Sequence, residues 1–101
     1  MKPLFIPLSG KFYDQFISGE KRSELRRYGK RWNEDTCVIG RKVVLSRGYG
    51  KHHRVSGTIR EFYKRRANTF GSTYQQAIRD CYGTIDLFIA EIRIDLETTD
   101  A

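Results

Sequence analysis

A chain of 101 residues supports one hydrophobic core, so we expect a single domain over 1–97 and a frayed tail over 98–101. The 19 lysine and arginine residues exceed the 12 acidic ones and give a net charge of +7, which favours a polyanionic partner such as nucleic acid. The cysteines, Cys37 and Cys81, are too few for a secreted disulfide scaffold and are expected as free thiols. Because the cysteines and the adjacent histidines lack metal-ligand spacing, we predict no metal and no cofactor.

The first elements are a strand and a helix. Leu4 to Leu8 is predicted as a short strand that Pro7 ends early or places at a sheet edge. This apolar run is too short for a signal sequence or a membrane span, so we expect no membrane partner and a cytoplasmic protein. Ser9 can cap the helix that follows, and Gly19 can end it. Four apolar residues of this helix form one stripe that we expect in the core: Phe12, Tyr13, Phe16 and Ile17.

The segment after this helix carries three ionisable groups. If Ser23 to Arg27 is a strand, alternation sends Glu24 and Arg26 to one face and Leu25 to the other, which we take as the core side. Lys21 lies on the preceding turn, where its long side chain can swing toward the charged face. We therefore expect the lysine, the carboxylate and the arginine to converge on one patch.

The remainder of the chain predicts one more helix and three more strands. A loop over 28–37 is anchored by its tryptophan, and strands are predicted over 42–47 and 54–62, with Gly57 marking a bulge or sharp bend. Ser72 and Gln75 fit a capping box at the start of the second helix. Its predicted buried face consists of Tyr74, Ala77, Ile78 and Cys81. The last strand alternates apolar residues from Phe88 to Leu96.

The segment 19–26 reads G-x-K-x-x-E-x-R, and a helix precedes it while the strand-like run 40–45 follows it. In these features the chain resembles an ASCH domain, a member of the PUA-like superfamily of small β-barrels found in RNA-linked proteins. The element order β-α-β-β-β-α-β predicts an α+β domain. The resemblance implies a small PUA-like barrel of mixed or antiparallel strands, with two flanking helices and a cleft beside the motif strand.

Three basic clusters, over 26–31, 47–54 and 64–66, are interleaved with aromatic residues. Such a pattern is typical of single-stranded nucleic-acid binding, where cations follow phosphates and rings stack on bases, although any one cation can equally be a solvated loop residue. We therefore predict an RNA- or nucleotide-binding domain. The predicted ligand contacts are Arg26, Tyr28, Arg47, Lys51 and His52.

The runner-up is a hydrolase acting on nucleic acid or modified nucleosides, that is, a ribonuclease or an amidohydrolase. Lys21 would act as nucleophile or base and Glu24 would relay protons, whereas the plainer interpretation of both is an ordinary ion pair. Small bacterial ASCH-type acetylcytidine amidohydrolases are similar around the helix and motif, and in them the lysine matching Lys21 is implicated in catalysis. They carry threonine in place of Glu24 and a glutamate before the last helix, whereas 63–72 contains no acid here.

Overall fold

The computed structural model describes residues 1–97, so the predicted tail lies outside the described residues. It is an α+β fold of five strands and two α-helices, as the element order predicts. In chain order the elements are β1 (Leu4–Leu8), α1 (Gly10–Ser18), β2 (Ser23–Arg27), β3 (Lys42–Arg47), β4 (Arg54–Arg66), α2 (Ser72–Tyr82) and β5 (Phe88–Leu96), with a 3-10 turn at Ala67–Thr69 before α2. In the described part of the chain, neither helix is long and apolar enough to cross a membrane.

The strands form one mixed sheet in the order β1-β3-β4-β5-β2. β1 is parallel to β3, and the other neighbours are antiparallel. β4 is 13 residues long and pairs with β3 through its first part and with β5 through the rest, which curls the sheet into a half-barrel. β1 and β2 are its two edges, and Pro7 therefore lies in an edge strand as predicted.

Gly57 has a different structural role from the one its position in the strand suggests. The register shift of β4 falls between Ile59 and Glu61, not at Gly57. A Cβ atom at Gly57 would lie 2.8 Å from the carbonyl oxygen of Asp95 and 2.9 Å from the Ile94 side chain. Glycine is needed here because the backbones of β4 and β5 approach closely, so the predicted bulge at this residue is wrong.

Apolar residues cover both faces of the sheet. The main core joins α1 and the 28–37 loop to one face through Ile6, Tyr13, Phe16, Trp32, Leu45, Ile59 and Ile92. A second cluster joins α2 to the opposite face through Ala67, Phe70, Ile78, Leu87 and Ile89. Leu25 packs against the second cluster, while Glu24, only 5% exposed, lies on the face of the main core. Leu25 therefore faces a hydrophobic cluster as predicted, but the main core lies on the other face, with Glu24.

Both helices bury less of their apolar stripes than predicted. In α1, which Ser9 caps and Gly19 ends with a φ of 86°, Tyr13 and Phe16 are buried but Phe12 is 43% exposed. Ile17 is exposed as well. In α2 only Ile78 is buried, because the helix meets the sheet along a narrow cluster.

The start of α2 also differs from its prediction. Gly71, not Ser72, is the N-cap, and no side chain caps the helix. The Gln75 side-chain amide donates to the carbonyl oxygen of Phe70 at 2.7 Å instead of closing a capping box. Cys81 is exposed instead of buried, while Cys37 is buried, and both are free thiols.

Candidate functional site

A cleft of about 980 Å³ lies between α1, α2 and the first half of β2. Its walls include four basic side chains, from Lys11, Lys21, Arg22 and Arg65. They also include the aromatic rings of Phe12, Phe70, Tyr74 and Tyr82, and the carboxylates of Glu20, Glu24 and Glu91. The cleft therefore combines positive charge with aromatic surface in one concave site.

Lys21 is fixed at this cleft by the end of α1 and by its own side-chain contacts. Its backbone N–H donates to the carbonyl oxygen of Gln15 at 3.0 Å. The Nζ atom lies 3.4 Å from Oε1 of Glu24. The same ammonium lies 5.0 Å from the ring centroid of Phe12 and 5.6 Å from that of Phe16. One carboxylate and two rings thus orient the lysine, and the predicted approach of Lys21 to Glu24 is confirmed.

Arg26 connects the two edges of the sheet. Its Nε atom donates to Oε2 of Glu24 at 2.8 Å, and Nη2 donates to the carbonyl oxygen of Pro7 in β1 at 2.6 Å. Its guanidinium carbon lies 4.9 Å from the ring centroid of Trp32. The predicted convergence of Lys21, Glu24 and Arg26 is therefore present, with Glu24 between the two cations. Because Nε and Nη2 are both occupied by the protein, Arg26 acts in this structure as a clamp across the open side of the half-barrel.

Tyr28 lies beyond the C-terminal end of β2 and does not line the cleft. Its hydroxyl lies 2.6 Å from both carboxylate oxygens of Glu34. This hydrogen bond raises the pKa of Tyr28 and lowers that of Glu34, because it favours the neutral phenol and the charged carboxylate. The Lys64 ammonium lies 4.3 Å from the centroid of the Tyr28 ring.

The other predicted ligand contacts lie at the β3–β4 turn, 48–53, and at the strand end before it. Arg47 makes a 3.6 Å ion pair with Asp14, and its guanidinium fills the space that a Cβ atom on Gly10 would need. Lys51 and His52 are exposed. None of these three residues lines the cleft. Of the predicted site residues, only Lys21 and Glu24 line the cleft, and none of the five predicted ligand contacts does.

Most residues of the cleft were not predicted as site residues, and Phe12, Tyr74 and Arg65 illustrate why. Helical periodicity assigned Phe12 and Tyr74 to the core, yet they are 43% and 56% exposed. Arg65 belongs to a basic cluster, but strand alternation turns it to the face opposite Lys64. Its guanidinium lies 3.9 Å from the centroid of Phe70 and 3.1 Å from a carboxylate oxygen of Glu91. Only that alternation could have indicated its position from sequence.

Within residues 1–97, no group of three or more histidine, cysteine, aspartate or glutamate side chains is arranged to hold a metal ion. No protein-family model and no curated protein matches the sequence. The resemblance to an ASCH domain therefore stays a prediction that depends on the motif residues.

Proposed function

We propose that this protein is an RNA- or nucleotide-binding domain whose ligand occupies the cleft beside β2. The observation that carries the proposal is that Lys11, Lys21, Arg22 and Arg65 line one concave site together with the exposed rings of Phe12 and Tyr74. Cations that follow phosphates and rings that stack on bases are the two elements of single-stranded nucleic-acid binding. The net charge of +7 adds long-range attraction for such a ligand.

Of the three carboxylates on the cleft walls, two are paired with cations, and the third, Glu20, accepts a hydrogen bond from the Ser18 hydroxyl and is outnumbered by Lys11 and Arg22. Glu24 is paired with Lys21 and Arg26, and Glu91 is paired with Arg65. Arg22 also lines the cleft, is exposed and makes no ion pair within residues 1–97, so it adds positive charge. A phosphate group would therefore approach Lys21 and Arg22, while Arg26 holds Glu24 in place.

The same proposal includes a PUA-like barrel of the ASCH type. The curled sheet with two helices and a cleft beside the motif strand supports it, as does the convergence of the motif lysine, glutamate and arginine. In this arrangement Lys21 contacts the ligand, and Arg26 serves the site by closing the half-barrel onto Pro7.

Titration of an unstructured RNA strand at several salt concentrations tests this proposal. Lys21→Gln should weaken binding. It should also reduce the slope of log Kd against the logarithm of the salt concentration by about 0.7, the contribution of one phosphate of a single strand. Lys42→Gln is the matched control, because Lys42 is exposed and paired with Glu97 away from the cleft. Absence of binding at low salt, or equal effects of the two variants, would contradict the proposal.

A hydrolase is the second candidate, and the approach of Lys21 to Glu24 within 3.4 Å on the cleft wall favours it. A lysine beside a carboxylate that can relay a proton is an arrangement suited to nucleophilic or general-base catalysis. If it acts in this way, Lys21→Ala and Lys21→Arg should both lose turnover of acylated nucleosides or short RNA by about 100-fold or more. A binding protein tolerates Lys21→Arg, since a phosphate contact needs only the charge.

A further inference from the structure

Two aromatic rings flank a lysine near the C-terminal end of β2. The Lys64 ammonium lies 4.3 Å from the ring centroid of Tyr28 and 4.6 Å from that of Phe88. The Tyr28 backbone N–H donates to the Phe88 carbonyl oxygen at 3.0 Å, which fixes the two residues side by side. We call Tyr28, Phe88 and Lys64 the aromatic pair with its lysine. None of the three lines the cleft.

This group is accessible, and exposed cations outnumber carboxylates around it, although Glu34 lies 2.6 Å from the Tyr28 hydroxyl. Phe88 is 39% exposed and Lys64 is exposed. Among residues 1–97, no carboxylate lies within 4.0 Å of the Lys64 ammonium. A second cation, the Arg66 guanidinium, lies 5.1 Å from the centroid of Phe88 and is paired with Asp86 at 3.2 Å. Three further exposed cations follow β2 or end it, at Arg27, Lys30 and Arg31.

Such an arrangement can bind a nucleobase on the ring and its phosphate on the lysine. A cation over an exposed ring is held weakly, so Lys64 can swing away at little cost. The ring that it leaves presents a face on which a base can stack, and the free ammonium can then contact the adjacent phosphate. Base-paired RNA keeps its bases stacked inside the helix, so only a single strand can use the rings in this way.

We propose that the aromatic pair with its lysine is a second contact site for the strand that binds in the cleft, so that the ligand is single-stranded RNA of several nucleotides. This inference rests on the proposed function. The two sites lie toward opposite ends of β2, whose five residues span about 17 Å. Lys64 and Phe88 also lie on the sheet face opposite the cleft residues Arg65 and Glu91, so an RNA strand that contacts both sites must pass along the exposed edge of β2. A mononucleotide is too short to reach both ends of β2, whereas a strand can run beside it. Nucleic-acid-binding barrels of similar size engage about 4 to 16 nucleotides.

Phe88→Leu tests the second site, because it removes the ring and keeps an apolar side chain at the start of β5. Tyr63→Leu is the matched control, since Tyr63 is an exposed aromatic residue of β4, 49% exposed, on the opposite face of the sheet. The probe is an unstructured RNA strand of about 12 nucleotides, alone or annealed to its complement, followed by fluorescence anisotropy. Phe88→Leu should weaken binding of the single strand about 5- to 150-fold, and Tyr63→Leu should leave it unchanged.

A second variant keeps the test decisive if Phe88→Leu impairs folding, which a thermal melt reports. Lys64→Gln should lower the steepness of the salt dependence by about 0.7 without changing the melt. Lys21→Gln separates the two proposals, because Lys21 lines the cleft and is not part of the second site. Suppose that Lys21→Gln weakens binding of the single strand, while Phe88→Leu and Lys64→Gln bind it as well as Tyr63→Leu does. Binding in the cleft would then still be supported, but the proposal of a second site would be wrong. Equal binding of the annealed duplex also overturns it, and no binding by the wild type at low salt overturns both.

Discussion

The motif segment and the β3–β4 turn both carry cations that the sequence predicts as ligand contacts, but the structure treats them in opposite ways. Arg26 and Lys21 are largely covered and both pair with Glu24. Lys51 and His52 in the turn are exposed. A covered charge is tolerated only with partners, whereas an exposed one remains solvated at little cost. The paired charges of the motif therefore stabilise the fold and fix Lys21 on the cleft wall, whereas the charges of the turn remain solvated and exposed.

Among the variants considered, removal of the Glu24 carboxylate should have the largest effect on stability. Glu24→Ala leaves the covered Lys21 and Arg26 cations without their shared partner, so we expect a loss of about 3 kcal/mol in the free energy of unfolding and a Tm lower by more than about 10 °C. Glu97→Ala is the control, because the exposed Lys42–Glu97 pair should contribute less than about 1 kcal/mol. Urea and thermal unfolding measure both. Similar losses in the two variants would show that burial of Glu24 has no special importance.

Arg26→Lys should have the next largest effect, and on stability instead of binding. A lysine cannot contact Glu24 and the Pro7 carbonyl oxygen with a planar fork, so the clamp across the half-barrel is weakened by about 1 to 2 kcal/mol. RNA affinity, measured below the melting range, should change less than about twofold. Unchanged stability with a loss of affinity of about tenfold or more would instead make Arg26 the ligand contact that the sequence predicts.

In the turn the expected pattern is reversed. Lys51→Gln should leave the free energy of unfolding within about 0.5 kcal/mol of wild type, because the exposed side chain makes no buried contact. If the turn touches RNA, the steepness of the salt dependence should fall by about 0.7. Lys42→Gln supplies the background value for an exposed cation elsewhere on the sheet. Equal salt dependence in the two variants would remove Lys51 from the binding surface.

The smallest effect concerns pH and the Tyr28–Glu34 hydrogen bond. Because this bond lowers the pKa of Glu34 from its ordinary value of 4.5, its stabilising contribution is present above that value and is lost as pH falls through the lowered one. Tyr28→Phe should therefore melt slightly below wild type near neutral pH, with the difference disappearing in acid. A difference that grows on acidification would contradict this assignment.

Much of the fold follows from the sequence because local rules decide it. The predicted bounds of β1, β2 and β3 agree with the structure, since turn residues and alternation mark both ends of each strand. β4 was predicted to end at Phe62 but continues to Arg66. Its last residues, Tyr63 to Arg66, are polar or aromatic on both faces, so no apolar alternation marks them as a strand.

The site was less predictable because it depends on packing between distant elements. Alternation correctly places Glu24 and Arg26 on one face, but it does not reveal that the main core covers that face. Periodicity likewise identifies the apolar stripe of each helix, but it does not show how much of that stripe the sheet covers. Phe12 and Tyr74 consequently line the cleft instead of the core. Their exposure is set by the spacing of α1, β2 and α2, which no local pattern in the sequence specifies.

Mapping of RNA binding by amide proton–nitrogen NMR spectra of the labelled protein tests the central claim most directly. Titration with a short unstructured RNA strand at low salt should shift the backbone signals of Lys21, Arg22 and Leu25 at the cleft, together with that of Tyr74 at the start of α2. The signals of β3, none of whose residues lines the cleft, should change least. An unchanged spectrum, or shifts confined to the turn at 48–53, would contradict binding in the cleft.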